Sequence, residues 1–254
     1  LNEMKHPSIS KFFAFSFWNI KKEPKPIILY ECCSDRYLSE IIEKGSNDSN
    51  WNSTNKLIVI YGIASSMSYL YKNDIYNPFI NPTNILINDE YQPKLTNYFL
   101  QNRKVGFDNN ISSYYQSPEY LHSKVISEKS EVYSFGLIVY SIIMNKILTH
   151  ENFHIEFYNN NVELDQEIPK FYQELIKKCL SKEPEERPSF SNILHELESE
   201  KVIIDGIDEI KYREYIQKVK HETKYAIKKL DLRNFKKEGE IGSGSFGIIY
   251  KIIE

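Results

Sequence analysis

IYNPFINPTNILINDEYQPKLTNYF, residues 75–99, is the stretch from which the rest of the chain can be read. Two prolines and three asparagines within residues 77–84 break any helical or strand period, so this part is a loop. Ile85-Leu86-Ile87 is a short β-prone run, Asn88-Asp89 supplies turn residues, and a second strand is expected to end at Thr96. The result is loop, strand, turn, strand. On its own this pattern suits many folds, and its meaning depends on the segments around it.

Hydrophobic residues make up 41% and aromatics 14% of the 254 positions, enough for a real core in one large or two small domains. A net charge of −3 gives no global pull toward nucleic acid or an anionic membrane. Cys32, Cys33 and Cys179 form neither a disulfide framework nor a zinc spacing, which points to a reducing, cytoplasmic setting. The longest apolar run, 135–144, is interrupted by Gly136, Tyr140 and Ser141 and is too short to span a bilayer. The first residue is Leu, from which a fragment of a longer chain is expected.

Outward from the loop, residues 51–71 carry Leu57, Ile60, Ile63, Ala64, Met67 and Leu70 at helical spacing, with Ser53 or Thr54 as the expected entry cap. Residues 12–17 and 26–30 read as strands. Ser117-Pro118-Glu119, Glu131-Val132-Tyr133-Ser134-Phe135-Gly136 and Arg187-Pro188-Ser189-Phe190 then follow in that order. With the loop, these motifs resemble the eukaryotic protein kinase superfamily. The resemblance implies an α+β, protein-kinase-like two-lobe fold over residues 1–199, with a mostly helical C-lobe and remnants of a β-rich N-lobe. In that fold Tyr30, Glu31 and Cys32 would form the gatekeeper and hinge, and Glu119 would pair with Arg187 across the interior.

The family writes its catalytic loop as H-R-D-L-x-x-x-N and its metal loop as D-F-G. Against that pattern the catalytic aspartate falls on Phe79, Asn81 stands two positions further on, and Asn84 keeps the final asparagine. Asn97-Tyr98-Phe99 stands in place of D-F-G. A benzyl group has no acceptor for a hydroxyl proton, and general-base assistance of that kind is typically worth ~10² to 10⁴ in rate. Asn97 keeps a carbonyl oxygen but not the charge, so Asn84 and Asn97 would make only a weak magnesium site. Phe99 also removes the backbone freedom of the family's glycine. Glu131 replaces an aspartate that holds the catalytic loop, and its extra methylene is expected to loosen that restraint. Ser112, Ser113, Tyr114 and Tyr115 are candidate phosphosites in the activation-loop position, a role disfavoured because Pro78 replaces the phosphate-receiving arginine. The resemblance thus implies a pseudokinase region without a confident cofactor, which regulates an adjacent kinase domain or another signalling protein.

Residues 200–234 are expected to be a linker with one amphipathic helix near 209–219, carrying Ile210, Tyr215, Ile216 and Val219. Ten Lys/Arg stand against three Asp/Glu between 211 and 237, read as a solvated helix and linker in preference to a phosphate or lipid site. Residues 235–254 contain Gly242-Ser243-Gly244-Ser245-Phe246-Gly247-Ile248-Ile249, similar to the kinase glycine-rich loop G-x-G-x-x-G-x-V. The resemblance implies the first strands of a second kinase-like domain that binds ATP and Mg, with Gly242, Gly244 and Gly247 at the phosphates and Ile241 and Ile249 beside them. A dinucleotide-binding turn is disfavoured because a β-rich run, not a helix, follows. Tyr225-Ala226-Ile227-Lys228 resembles the family's lysine strand but precedes the glycine loop, and is taken as a chance match. The alternative is an active serine/threonine or tyrosine kinase whose activity lies in the second domain. Neither reading involves a specific nucleic acid or a membrane span.

Overall fold

The computed structural model describes residues 5–18, 21–24, 27–31, 34–77, 79–96, 114–149, 164–166, 168–203, 206–223, 236–244 and 247–253. The chain divides into two units, Leu1–Lys224 and Tyr225–Glu254.

In the first unit, β1 (Phe12–Ser16) and β2 (Ile27–Tyr30) form a two-stranded antiparallel sheet with an irregularity between Phe12 and Ala14. Helix α1 (Leu38–Lys44) follows and buries Leu38, Ile41 and Ile42. Helix α2 (Ser53–Lys72) is the centre of the unit. Its entry cap is Asn52, not Ser53 or Thr54: Asn52 has extended backbone, and its side-chain oxygen accepts the Asn55 N–H at 3.0 Å. The Thr54 hydroxyl is used elsewhere, accepting the Asp208 N–H at 2.8 Å. Burial of α2 goes beyond the expected one-sided stripe, since Leu57, Ile58, Val59 and Ile60 are all buried although they point in four directions. That requires cover on every side of the helix.

The cover comes from four elements. β3 (Ile85–Ile87) and β4 (Pro93–Leu95) form an antiparallel pair whose Ile85, Ile87 and Leu95 are buried. A short α3 (Pro118–Ser123) precedes α4 (Glu128–Met144), which is capped by Ser127 and ends at Asn145 in the left-handed region, φ 50°. α5 (Lys170–Cys179) lies against α4, and α6 (Phe190–Glu198) against α2. β4, α4, α6 and a further helix, α7 (Glu209–Glu222), all contact α2. Gly136 permits the close approach of α4 and α5, because a Cβ there would sit 2.7 Å from Cys179 Cβ. This is an α+β arrangement with a mostly helical body, as the sequence resemblance implies.

The expected linker differs from what is found. α7 is not a solvated spacer but part of the first unit, with Tyr212, Tyr215, Ile216 and Val219 buried. Ile210, counted on the apolar face from sequence, is instead 74% exposed. The buried face is defined by Tyr212 and its neighbours at i+3, i+4 and i+7.

The second unit contains one antiparallel hairpin, β5 (Lys236–Gly244) with β6 (Gly247–Ile253). Two register irregularities, at 237/239 and 240/242, bend it, and Gly244 faces Gly247 at the tip. Residues 225–228 lie outside the described residues. No helix among the described residues is long and apolar enough to cross a membrane.

Candidate catalytic loop and nucleotide site

The loop at 77–84 is held from below by α4. Asn77 donates its backbone N–H to Glu131 Oε1, so the longer glutamate still reaches the loop, and the restraint expected to be loosened is present as one hydrogen bond. Glu131 is buried, and burial pushes its carboxyl up to about 8, with Glu128 adding to the rise and the Asn77 N–H opposing it. Glu131 Oε2 and Asn77 Nδ2 are both buried without a hydrogen-bond partner among the described residues.

Phe79 is the residue that the sequence resemblance sets against the family's catalytic aspartate. Its ring is half-buried and meets Tyr120 of α3 edge-on, with centroids 6.3 Å apart. Its backbone carbonyl accepts from Asn81 Nδ2 at 2.8 Å and Asn84 Nδ2 at 2.9 Å. Asn81 Oδ1 in turn accepts the Thr83 N–H at 2.8 Å and the Thr83 hydroxyl at 2.6 Å, capping the short turn 82–84. The Asn84 carbonyl accepts both the N–H and the hydroxyl of Thr96, at 3.1 and 2.9 Å, tying the loop to the end of β4. The loop is thus braced by Glu131 at Asn77, by the Asn81 and Asn84 side chains at its centre and by Thr96 at Asn84. No carboxylate belongs to it.

The pair proposed from sequence comes together in full. Arg187 donates from Nη1 to Glu119 Oε1 at 2.6 Å and from Nη2 to Oε2 at 3.1 Å. Its remaining donors reach the carbonyls of Ser181 at 2.8 Å and Lys129 at 2.9 Å, and the guanidinium lies over the Tyr133 ring at 4.8 Å. Burial alone would raise the Glu119 carboxyl, but the Arg187 guanidinium overrides it and holds it below the usual range. Glu31, expected at the hinge, is joined to Lys11 by a backbone hydrogen bond of 2.8 Å and to Lys94 by a 3.1 Å ion pair. Tyr30 closes β2. Cys32 and Asn97 lie outside the described residues, as do Ser112 and Ser113. Ile241, Gly242 and Gly244 fall on β5, and Gly247 and Ile249 on β6.

Tyr115 is corrected as a phosphosite. It is fully buried, its hydroxyl shares a 2.8 Å hydrogen bond with Ser141 and accepts the Leu148 N–H at 3.2 Å, and burial pushes its pKa up to about 12. Several basic residues of α7 are also engaged: Lys211 reaches Asn55, Arg213 the Glu198 carbonyl, Lys218 Gln92 and Lys220 the Glu198 carboxylate. His6, which sequence reasoning did not single out, is a buried structural group. Its Nδ1 accepts the Ser8 N–H and its Nε2 meets Ser65 Oγ, each at 3.0 Å, while burial and then the Lys94 charge push its pKa down to about 3.

Comparison with known proteins agrees with this geometry. Residues 1–197 match the family described as protein kinase domain. A probable serine/threonine-protein kinase of Dictyostelium discoideum is 26% identical over 226 residues, which are 82% of this chain and 23% of that protein. A serine/threonine/tyrosine-protein kinase of Arabidopsis thaliana is 27% identical over 208 residues, 78% of this chain and 52% of that protein. A mitogen-activated protein kinase kinase kinase of Caenorhabditis elegans is 26% identical over 207 residues, 76% of this chain and 21% of that protein. The chain therefore spans about a fifth to a half of these relatives. With its braced loop, its buried Glu119–Arg187 pair and a family match over most of its length, the chain belongs to the protein kinase domain family.

Proposed function

We propose that the first unit is a pseudokinase: a protein-kinase-like domain that regulates or scaffolds a neighbouring kinase domain or signalling protein and transfers no phosphoryl group itself. The observation that carries this is Phe79. The loop around it keeps its backbone bracing through Asn81 and Asn84, while the position that would accept the substrate proton carries no acceptor. An apolar ring packed against Tyr120 cannot do that work. Asn84 and Asn97 would offer magnesium two neutral oxygens, far weaker than a site with a carboxylate. The residues present fit a regulatory role better than a catalytic one.

The test is transfer of the γ-phosphate of ATP, with magnesium or manganese, to the protein itself or to a generic peptide. No transfer above a buffer control is expected. Transfer by the chain that disappears in Asn84→Ala would overturn the proposal.

A second reading has its own support in the β5–β6 hairpin. The hairpin carries Gly242, Gly244 and Gly247, the spacing of a phosphate-covering loop, with Gly244 paired to Gly247 near its tip. In that reading the hairpin opens a second kinase-like domain that binds ATP and Mg and acts on serine, threonine or tyrosine, and the first unit is its regulator. Sequencing the transcript across codon 254 separates the two. An intact H-R-D and D-F-G downstream favours an active tandem kinase, and a second degenerate loop favours a scaffold.

A further inference from the structure

α7 lies beyond the matched kinase region, yet it docks beside β4, and the residue after β4, Thr96, holds the loop at 77–84. Tyr215 is buried, and its hydroxyl shares a 2.9 Å hydrogen bond with Ser8 Oγ, 207 positions away in sequence. The Ser8 carbonyl accepts the Leu95 N–H at 2.9 Å, and the Leu95 carbonyl accepts the Ser10 N–H at 2.9 Å, so Ser8 and Ser10 clip onto β4. The residue after Leu95 is Thr96, which donates twice to the Asn84 carbonyl, and Asn84 braces the Phe79 carbonyl. A continuous path of hydrogen bonds and adjacent residues therefore runs from α7 to the loop at 77–84. Lys218 reinforces it from the other end of β4, donating to Gln92 Oε1 at 2.9 Å.

The approach has been made possible by one glycine. A Cβ on Gly62 of α2 would lie 2.4 Å from Tyr215 Oη and 2.5 Å from Pro93 Cγ. α2, β4 and α7 thus meet at a single point that admits no side chain. α7 ends at Glu222, two residues before the second unit begins at Tyr225. The helix is the covalent lead into that unit.

We propose that α7 is a latch and Tyr215 a positioning residue for the kinase-like loop: docked, the helix fixes residues 8–10 and β4, and through Thr96 and Asn84 it fixes the loop at 77–84. Release of α7 loosens that loop without touching it. This goes beyond the pseudokinase reading and does not depend on it, because the path is the same whether or not the loop has catalytic power.

Hydrogen exchange on the full chain tests the latch. Tyr215→Phe removes the hydroxyl and keeps the ring. It is expected to raise exchange roughly 2- to 12-fold in residues 5–11 and 93–96, the range for one intramolecular hydrogen bond, with a smaller rise at 77–84. Gly62→Ala drives Tyr215 and Pro93 apart and is expected to raise exchange at 209–222, 5–11 and 93–96 together. Ile210→Ser, on the exposed face of the same helix, should change none of these. Because a wedge at Gly62 can prevent folding, a double-mutant cycle of Tyr215→Phe with Ser8→Ala carries the proposal separately: the second substitution should add little to the first. Faster exchange at 209–222 with residues 5–11 and 93–96 unchanged, or strict additivity in the cycle, would overturn it.

Discussion

Two polar constellations in the first unit have met opposite fates. Around Arg187 every charge is present, and the guanidinium is spent on two carboxylate oxygens, two carbonyls and an aromatic face. Around Phe79 the loop itself carries no charged side chain: Asn81 and Asn84 hold the Phe79 carbonyl, and the one carboxylate that reaches the loop, Glu131, comes from α4 and accepts the Asn77 N–H. The first constellation joins α3 to the segment before α6 and has only a structural use. In the proposed reading the second is where the chemistry is missing. Charge stands where its removal would strand a half-buried partner, and the Phe79 carbonyl is held without any.

The largest effect that would break this comparison is at Arg187. Arg187→Ala leaves the half-buried Glu119 without its partner and removes the donors that reach the Ser181 and Lys129 carbonyls, and is expected to cost about 3 to 5 kcal/mol. Urea unfolding followed by a C-lobe signal checks it, and an unchanged midpoint would remove the pair from the account of stability. Glu131 is the next in size, because it is the one carboxylate that does reach the loop. Its folded pKa, about 8, lies above the ordinary carboxylate value of 4.5. Its contribution to stability is therefore fully present below pH 4.5 and is lost as pH rises to 8, with a slope of at most about 1.4 kcal/mol per pH unit for one proton. Glu131→Gln keeps an oxygen for the Asn77 N–H but carries no titrating group. The variant should gain relative to the parent as pH rises from 5 to 8, and parallel pH profiles for the two would show that Glu131 does not titrate in this way.

How much of this was legible depends on the range of the interaction. The loop, both strands after it and the central helix α2 follow from residue types at short spacings, and the Glu119–Arg187 pair follows only from the family resemblance. α7 was legible as a helix but not as part of the core. Its face was misassigned because Ile210 is more apolar than Tyr212, whereas the site rewards a ring that can place a hydroxyl on the Leu197 carbonyl, at 2.9 Å. Nothing local to Gly62 announces that it makes room for Tyr215, 153 positions away, since a glycine inside a helix reads only as a weak spot. Glu131 was misjudged in a similar way. Its extra methylene was counted as slack, but the loop sits where the longer side chain still meets Asn77.

A smaller effect sharpens the comparison from the loop side. Phe79→Asp restores the residue type of a catalytic base, yet Asn81 and Asn97 remain neutral, so no phosphoryl transfer is expected to appear. The variant should instead lose about 1 to 2 kcal/mol, because a half-buried ring packed on Tyr120 is replaced by a charge on the same surface. Recovered transfer would mean that Phe79 alone separates this domain from an active one.

The smallest effect concerns Tyr115, which stands in the stretch where the family carries its regulatory phosphates but behaves like the Arg187 region. Its hydroxyl links the end of that stretch to Ser141 on α4 and to the Leu148 N–H beyond it. Tyr115→Phe keeps the ring volume and leaves both of those groups short of one partner, for an expected cost of about 1 kcal/mol. A phosphate on that oxygen would have to break both bonds and enter a space with no room for it, so a tyrosine kinase offered the folded protein should label Tyr115 only as fast as the protein unfolds. Labelling at the rate seen for an exposed tyrosine, with the fold intact, would place Tyr115 with the chemical region instead of the structural one.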